Sequence, residues 1–159
     1  MLKKILSGES CAKCRVCCVF DKSDQWEIPL ISRELADYLE KNVKTGYTLK
    51  PYKNSFVFDM KYDGDGLSRC PMLTEKGCLL GDSKPFDCRI WPFRVMKLDE
   101  LLAITVSPVC DSVSSLPLKK LCEFLSGGMG DTIFKAAEEY PDMIKDYIDG
   151  YPILAVKRA

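Results

Sequence analysis

An α+β fold of about one domain is what this chain predicts, on three observations. Its 159 residues are 47% hydrophobic and 29% charged, the composition of a folded globular protein rather than a disordered one. Strand-like alternation and helix-like spacing both occur, and the helical patterns gather after residue 110. The stretch from Cys70 to Pro92 is too rich in Gly, Pro and Cys to hold long regular elements, so its order needs another source.

Taken in order, the chain opens with a cysteine run to Val19, expected as loop with a turn or two of helix. Ser32 reads as the N-cap of a helix over Arg33 to Lys44, with Leu35, Leu39 and Val43 at helical spacing and Gly46 ending it. Ser55 to Tyr62 alternates, placing Phe56, Phe58, Met60 and Tyr62 on one face of a half-buried strand. Asp63-Gly64-Asp65-Gly66 is turn chemistry, closing onto a second short strand or directly onto Cys70-Pro71. Its aspartates lack the spacing and closing glutamate of a calcium loop. Phe93 to Leu98 and Leu101 to Ser107 form a β-hairpin about Asp99-Glu100. Pro117 to Ser126 reads as a helix stopped by Gly127-Gly128. Asp131 then caps a second through Tyr140, Pro141 opens a third that stops at Gly150, and Ile153 to Val156 is a short closing strand. The expectation is a single domain over 1–159: cysteine motifs over 11–110, a metal-stapled half with short β-hairpins, and a helical C-terminal cap over 111–159.

The chemistry lies in the cysteines. Cys11, Cys14, Cys17 and Cys18 fall within eight residues, Cys70, Cys78, Cys88, Cys110 and Cys122 follow, and there is no histidine. Thiolates bind zinc and iron-sulfur clusters, four sulfurs to a site, so a soft-metal site here is all-cysteine or cysteine with oxygen. Cys-His pairs, Ser-His-Asp triads and His-based zinc proteases are excluded. The N-terminal Met-Leu-Lys-Lys-Ile-Leu stretch is too short for an export signal and no apolar run spans a bilayer, so a reducing cytoplasm is expected. There, and with an odd cysteine count, structural disulfides are disfavoured.

Two-residue gaps let the first run wrap a metal, and Cys70-Pro71 offers the cysteine-proline pair that ends ferredoxin-type motifs. Side chains of adjacent residues diverge, so the Cys17-Cys18 pair points to a cluster or to two neighbouring metal positions. Gly77 before Cys78 and Arg89 after Cys88 suit sulfurs that accept N–H bonds beside positive charge. Cys110 ends the hairpin, where a strand could deliver it to the site. Cys122 shares a helical face with Leu118, Leu121 and Leu125 and reads as core packing. Four thiolates around a divalent centre leave a formal charge of about −2, which gives the cations beside cysteines, Lys13, Arg15, Arg69 and Arg89, something to neutralise.

Together, Cys11-x-x-Cys14-x-x-Cys17-Cys18, Cys70-Pro71-Met72-Leu73, Gly77-Cys78 and Pro85-x-x-Cys88-Arg89-x-x-Pro92 resemble the CxxCxxCC cysteine-cluster family, also called YkgJ-like and described as a zinc- or iron-chelating domain. The resemblance runs from Cys11 to about Cys110. It implies a small metal-binding domain with Cys11, Cys14, Cys17, Cys18, Cys70, Cys78, Cys88 and Cys110 as metal candidates; Arg69 and Arg89, which adjoin cysteines, are separately expected to line the bound group. The cysteine motifs are also similar to those of flagellin lysine methylases, which tilts the expected cofactor toward an iron-sulfur cluster, [4Fe-4S], over Zn. Three positions depart from the family pattern: Lys84 stands where arginine precedes the proline, Arg15-Val16 where glycine is common, and Leu80-Gly81 where an Ile-Tyr pair is common.

Three functions follow as expectations. The first is metal binding without catalysis. The second is an iron-sulfur enzyme or redox partner in the modification of another protein, with Arg69, Asp87, Arg89 or Trp91 lining the accessible edge. The third and weakest is a zinc-ribbon-like interaction or nucleic-acid module, disfavoured by 23 basic against 23 acidic residues. Gly127-Gly128-Met129-Gly130 follows a helix rather than a strand and is not a nucleotide loop.

Overall fold

A computed structural model describes residues 1–44 and 46–158. Short helices and antiparallel strands make an α+β fold, as the sequence predicts, and the chain divides into two units: Ser7–Arg89, and Met1–Leu6 with Ile90–Ala159.

In the first unit the cysteine run carries the expected turn or two of helix. Ser7 caps helix α1 (Gly8–Cys14) by accepting the Ser10 N–H at 3.0 Å, and Glu9 pairs with Lys13 at 2.8 Å. Arg15, at φ 59°, ends α1 in the left-handed region and returns its N–H to the Cys11 carbonyl. A 3-10 turn over Val16–Cys18 then leads into strand β1 (Val19–Asp21). Helix α2 (Arg33–Asn42) has the expected Ser32 cap and buries Leu39.

Strand β2 (Leu49–Tyr52), unforeseen, pairs with β3 (Ser55–Phe58). The alternating stretch expected to run to Tyr62 thus stops pairing four residues earlier. β4 (Leu67–Arg69), the short strand expected after the Asp-Gly turn, lies antiparallel to β1 with Val19 opposite Arg69. Ile31 bridges Phe56 through two backbone bonds of 2.8 and 2.9 Å. Ile31, Leu39, Phe58 and Met72 are all but fully buried, each contributing about 1.5–3 kcal/mol. Between Cys70 and Pro92 lie only a two-rung hairpin, β5 (Leu73–Thr74) with β6 (Gly77–Cys78), and one short helix, α3 (Phe86–Ile90). Asp87 on α3 is buried and accepts the Leu30 N–H at 3.1 Å.

The second unit is built on the expected hairpin, β7 (Phe93–Leu98) with β8 (Leu101–Val106), buried along most of its length. Strand β10 (Ile153–Arg158), two residues longer than expected, pairs with β8, and β9 (Lys145–Asp146) runs parallel to β7. A short helix, α4 (Asp111–Ser114), follows Cys110.

The expected helix stop at Gly127-Gly128 holds: beyond α5 (Leu118–Phe124) both glycines leave helical geometry, Gly128 at φ +99°, in a wide turn over Leu125–Met129, and α6 (Gly130–Glu139) begins past the kink. Two other helix expectations fail. Asp131 lies in the first turn of α6, behind an N-cap at Met129. The helix expected from Pro141 is one 3-10 turn, Pro141–Met143, because the chain then joins the sheet through β9. Cys122 is also not core packing. Leu121 and Leu125 face inward, whereas Cys122 is exposed, its thiol 3.7 Å from the Leu154 carbonyl on the neighbouring strand.

Candidate functional site

Five of the eight sequence-nominated cysteines interact with one another within the Ser7–Arg89 unit. The Cys17 thiol lies within hydrogen-bond reach of both Cys11 and Cys18. Helix α1 presents Cys11, and the left-handed Arg15 reverses the chain so that the following 3-10 turn brings Cys17 back toward it. Adjacent thiols were expected to diverge, yet this turn brings those of Cys17 and Cys18 together. Cys18 and Cys70 are then tied through the backbone, the Cys70 N–H donating to the Cys18 carbonyl at 2.8 Å. The β5–β6 hairpin completes the group by carrying Cys78, whose charge interacts with those of Cys18 and Cys70.

The sulfurs divide into two electrostatic classes. Cys17 has one proton and two sulfur neighbours, so it stays a thiol: stabilising anions on Cys11 and Cys18, with burial added, raises its own pKa far above the usual range. The hydrogen bond from Cys17 lowers Cys11 to about 6, against a burial penalty and with help from the Lys84 ammonium. It lowers Cys18 likewise, with Lys84 and Arg15 assisting. Cys70 is pushed up to about 12 by burial and by the Cys18 and Cys78 charges, although the N–H groups of Met72 and Leu73 point to its sulfur. Burial also raises Cys78, against the N–H groups of Leu80 and Gly81 and the charge of Lys84.

The remaining nominees lie elsewhere. Cys14, at the end of α1, and Cys88, on α3, are exposed within the same unit. Cys110 belongs to the other unit, buried at the start of α4. Arg69 is exposed on β4, and Arg89 is exposed with its guanidinium 5.4 Å from the Phe86 ring centroid. Asp87 is committed to the Leu30 amide, and Trp91 is buried in the second unit against the Arg94 guanidinium.

Three contributors were not legible as such. Lys84 stood out only as a departure from a family pattern, yet its charge reaches Cys11, Cys18 and Cys78. Arg15 was noted for its charge. It also anchors α1 to the hairpin, its guanidinium donating to the Ala12 and Glu75 carbonyls. The N–H donors to Cys78 come from the two residues after Leu79, rather than from the glycine before the cysteine.

The donor set suits a soft metal: clustered thiols, backbone N–H groups aimed at sulfur, and two cations beside them. Among the described residues, no three or more His, Cys, Asp or Glu side chains are arranged to hold a metal ion as they stand. No two of the nine cysteines are joined in a disulfide. Among the described residues no helix is long and apolar enough to cross a membrane. Compared with family models, curated proteins and solved structures, the chain finds no match in any of the three.

Proposed function

We propose that the Ser7–Arg89 unit is a metal-binding module that holds an iron-sulfur cluster or zinc through cysteine thiolates. The observation that carries this reading is that cysteines from three separated stretches interact, Cys11, Cys17 and Cys18 through hydrogen bonds and Cys70 and Cys78 through charge with Cys18, with the Cys70 N–H bonded to the Cys18 carbonyl at 2.8 Å. Those sulfurs are the first choice as ligands. Cys14 and Cys88, exposed in the same unit, are the reserve from which a second position would draw.

The pattern of protonation supports the same reading. Cys11 and Cys18 favour the thiolate, and the protons of Cys17, Cys70 and Cys78 are those that metal binding would displace. The N–H groups of Met72, Leu73, Leu80 and Gly81 then serve as fixed donors to charged sulfur. A bound cluster would supply electron transfer, and bound zinc would supply folding energy on the order of 10 kcal/mol. The similarity of the cysteine motifs to the flagellin methylases favours the cluster.

Oxygen-free purification followed by iron, zinc and acid-labile sulfide analysis tests the proposal. A brown protein with labile sulfide supports the cluster, and a colourless one with stoichiometric zinc supports the zinc form. Fully folded protein without transition metal overturns both.

A further inference from the structure

We propose that Arg15 is the clamp that closes the sulfur site before a metal arrives, a positioning residue that locks the cysteine run over 11–18 onto the hairpin carrying Cys78. The inference rests on the metal-binding reading above and names what holds that site in shape without metal.

The backbone of Arg15 sets the shape of the run. At φ 59°, ψ 4° it stands in the left-handed region, which turns the chain back out of α1. Its N–H donates to the Cys11 carbonyl at 3.2 Å, and its carbonyl accepts the Cys18 N–H at 2.9 Å. One residue thereby joins the first and last cysteines of the run through the main chain. Glycine would take this φ without steric cost, so an arginine here needs side-chain bonds that offset it.

Those bonds run in two directions. Nε donates to the Ala12 carbonyl at 2.9 Å, in the last turn of α1, where carbonyls lack helical partners. The guanidinium NH2 group donates to the Glu75 carbonyl, in the two-residue turn between β5 and β6. A planar fork can span two such carbonyls at once, whereas a lysine ammonium is a single point. The strand after the turn packs on the same helix: a Cβ on Gly77 would lie 3.7 Å from the Ala12 Cβ, and Cys78 follows directly. Residues 60 positions apart are thus tied with no sulfur or metal taking part.

The experiment uses reduced, chelator-treated full-length protein: wild type, Arg15→Gly and Arg15→Lys, with circular dichroism as the check on folding. Arg15→Gly keeps the left-handed backbone and removes the fork, and Arg15→Lys keeps the charge and removes the fork. Amide hydrogen exchange by mass spectrometry is read without metal, with the β7–β8 hairpin as internal reference. In both variants exchange over 8–18 and 70–80 is expected to rise about tenfold against that reference, the weight of a charge-assisted hydrogen bond. Co2+, titrated without oxygen and followed by sulfur-to-cobalt charge-transfer absorption, is expected to bind both about tenfold more weakly. Wild-type exchange in Arg15→Gly overturns the clamp while leaving the metal site standing. Full protection in Arg15→Lys also overturns it, since charge and not the fork would then be the cause. Faster exchange with unchanged Co2+ affinity overturns the positioning role. Absence of the charge-transfer band in wild type overturns the metal reading itself, and this inference with it.

Discussion

The amide of Cys70 donates to the carbonyl of Cys18 across 2.8 Å, one step beyond the last rung of the β1–β4 ladder at Val19 and Arg69. Residues 52 positions apart in sequence are thus held by the same strand pairing that orders the unit. The two sulfurs interact electrostatically because the backbone has already brought their residues together. Cys17 and Cys78 join from either side, by the turn after α1 and by the β5–β6 hairpin.

This arrangement ranks the cysteines. Cys17→Ser or Cys18→Ser should weaken metal binding by at least ~10-fold, since even outer partners of a metal ligand are worth that much. Cys122→Ala, on the exposed face of α5, should leave metal content unchanged. Metal per chain by elemental analysis checks this. Equal loss in Cys122→Ala would overturn the assignment.

Asp87 was a candidate for the edge of a reactive site, and the fold gives it another task. Its buried carboxylate accepts the Leu30 N–H next to Ile31, whose bridge to Phe56 anchors β3. Asp87→Ala leaves that amide without its acceptor and should cost about 2–3 kcal/mol of stability, read as a lower urea midpoint. Metal stoichiometry measured in the folded range should be little changed.

The contrast shows what sequence could and could not reveal. The β7–β8 hairpin and α2 were legible because alternation, a Ser32 cap and spaced leucines are local signals. β2 was missed because Lys-Pro at positions 50 and 51 masks a strand that exists by pairing with β3. The helix expected after Pro141 became β9, since the chain satisfies its backbone on β7 instead. The cysteine motifs were legible one by one. Their sorting into a hydrogen-bonded triad and a buried pair, with Lys84 beside both, depends on contacts that spacing does not encode.

Gly77 tests the hairpin that delivers Cys78. Its φ is +107°, a region closed to side chains, and an added Cβ would also sit 3.7 Å from the Ala12 Cβ on α1. The contact is ordinary, so the cost comes from the backbone. Gly77→Ala should destabilise the protein by about 1–2 kcal/mol. Because Cys78 is the next residue, its sulfur should shift as well, and metal affinity should fall together with the urea midpoint. Loss of neither would mean the hairpin is not held in this geometry.

The last prediction concerns pH in reduced, metal-free protein. Cys11 is lowered to about 6 by the Cys17 hydrogen bond and Cys70 raised to about 12 by burial, against an ordinary value of 9.0. At pH 7 Cys11 is therefore mostly thiolate, the nucleophilic form, and Cys70 is not. Iodoacetamide labelling with peptide mapping should find Cys11 reacting rapidly and levelling off above about pH 7, while Cys70 stays unlabelled until pH approaches 12. The same shifts act on stability with opposite signs. The Cys11 contribution is fully present above 9.0 and lost as pH falls through about 6, whereas that of Cys70 is fully present below 9.0 and lost as pH rises toward 12. Urea midpoints should accordingly fall on both sides of pH 9. Cys11→Ser should flatten the acid limb in particular, because the group whose protonation drives it is gone. A midpoint that climbs steadily into alkali, or equal labelling of the two cysteines at pH 7, would show that the Cys17 proton is not shared as the geometry requires.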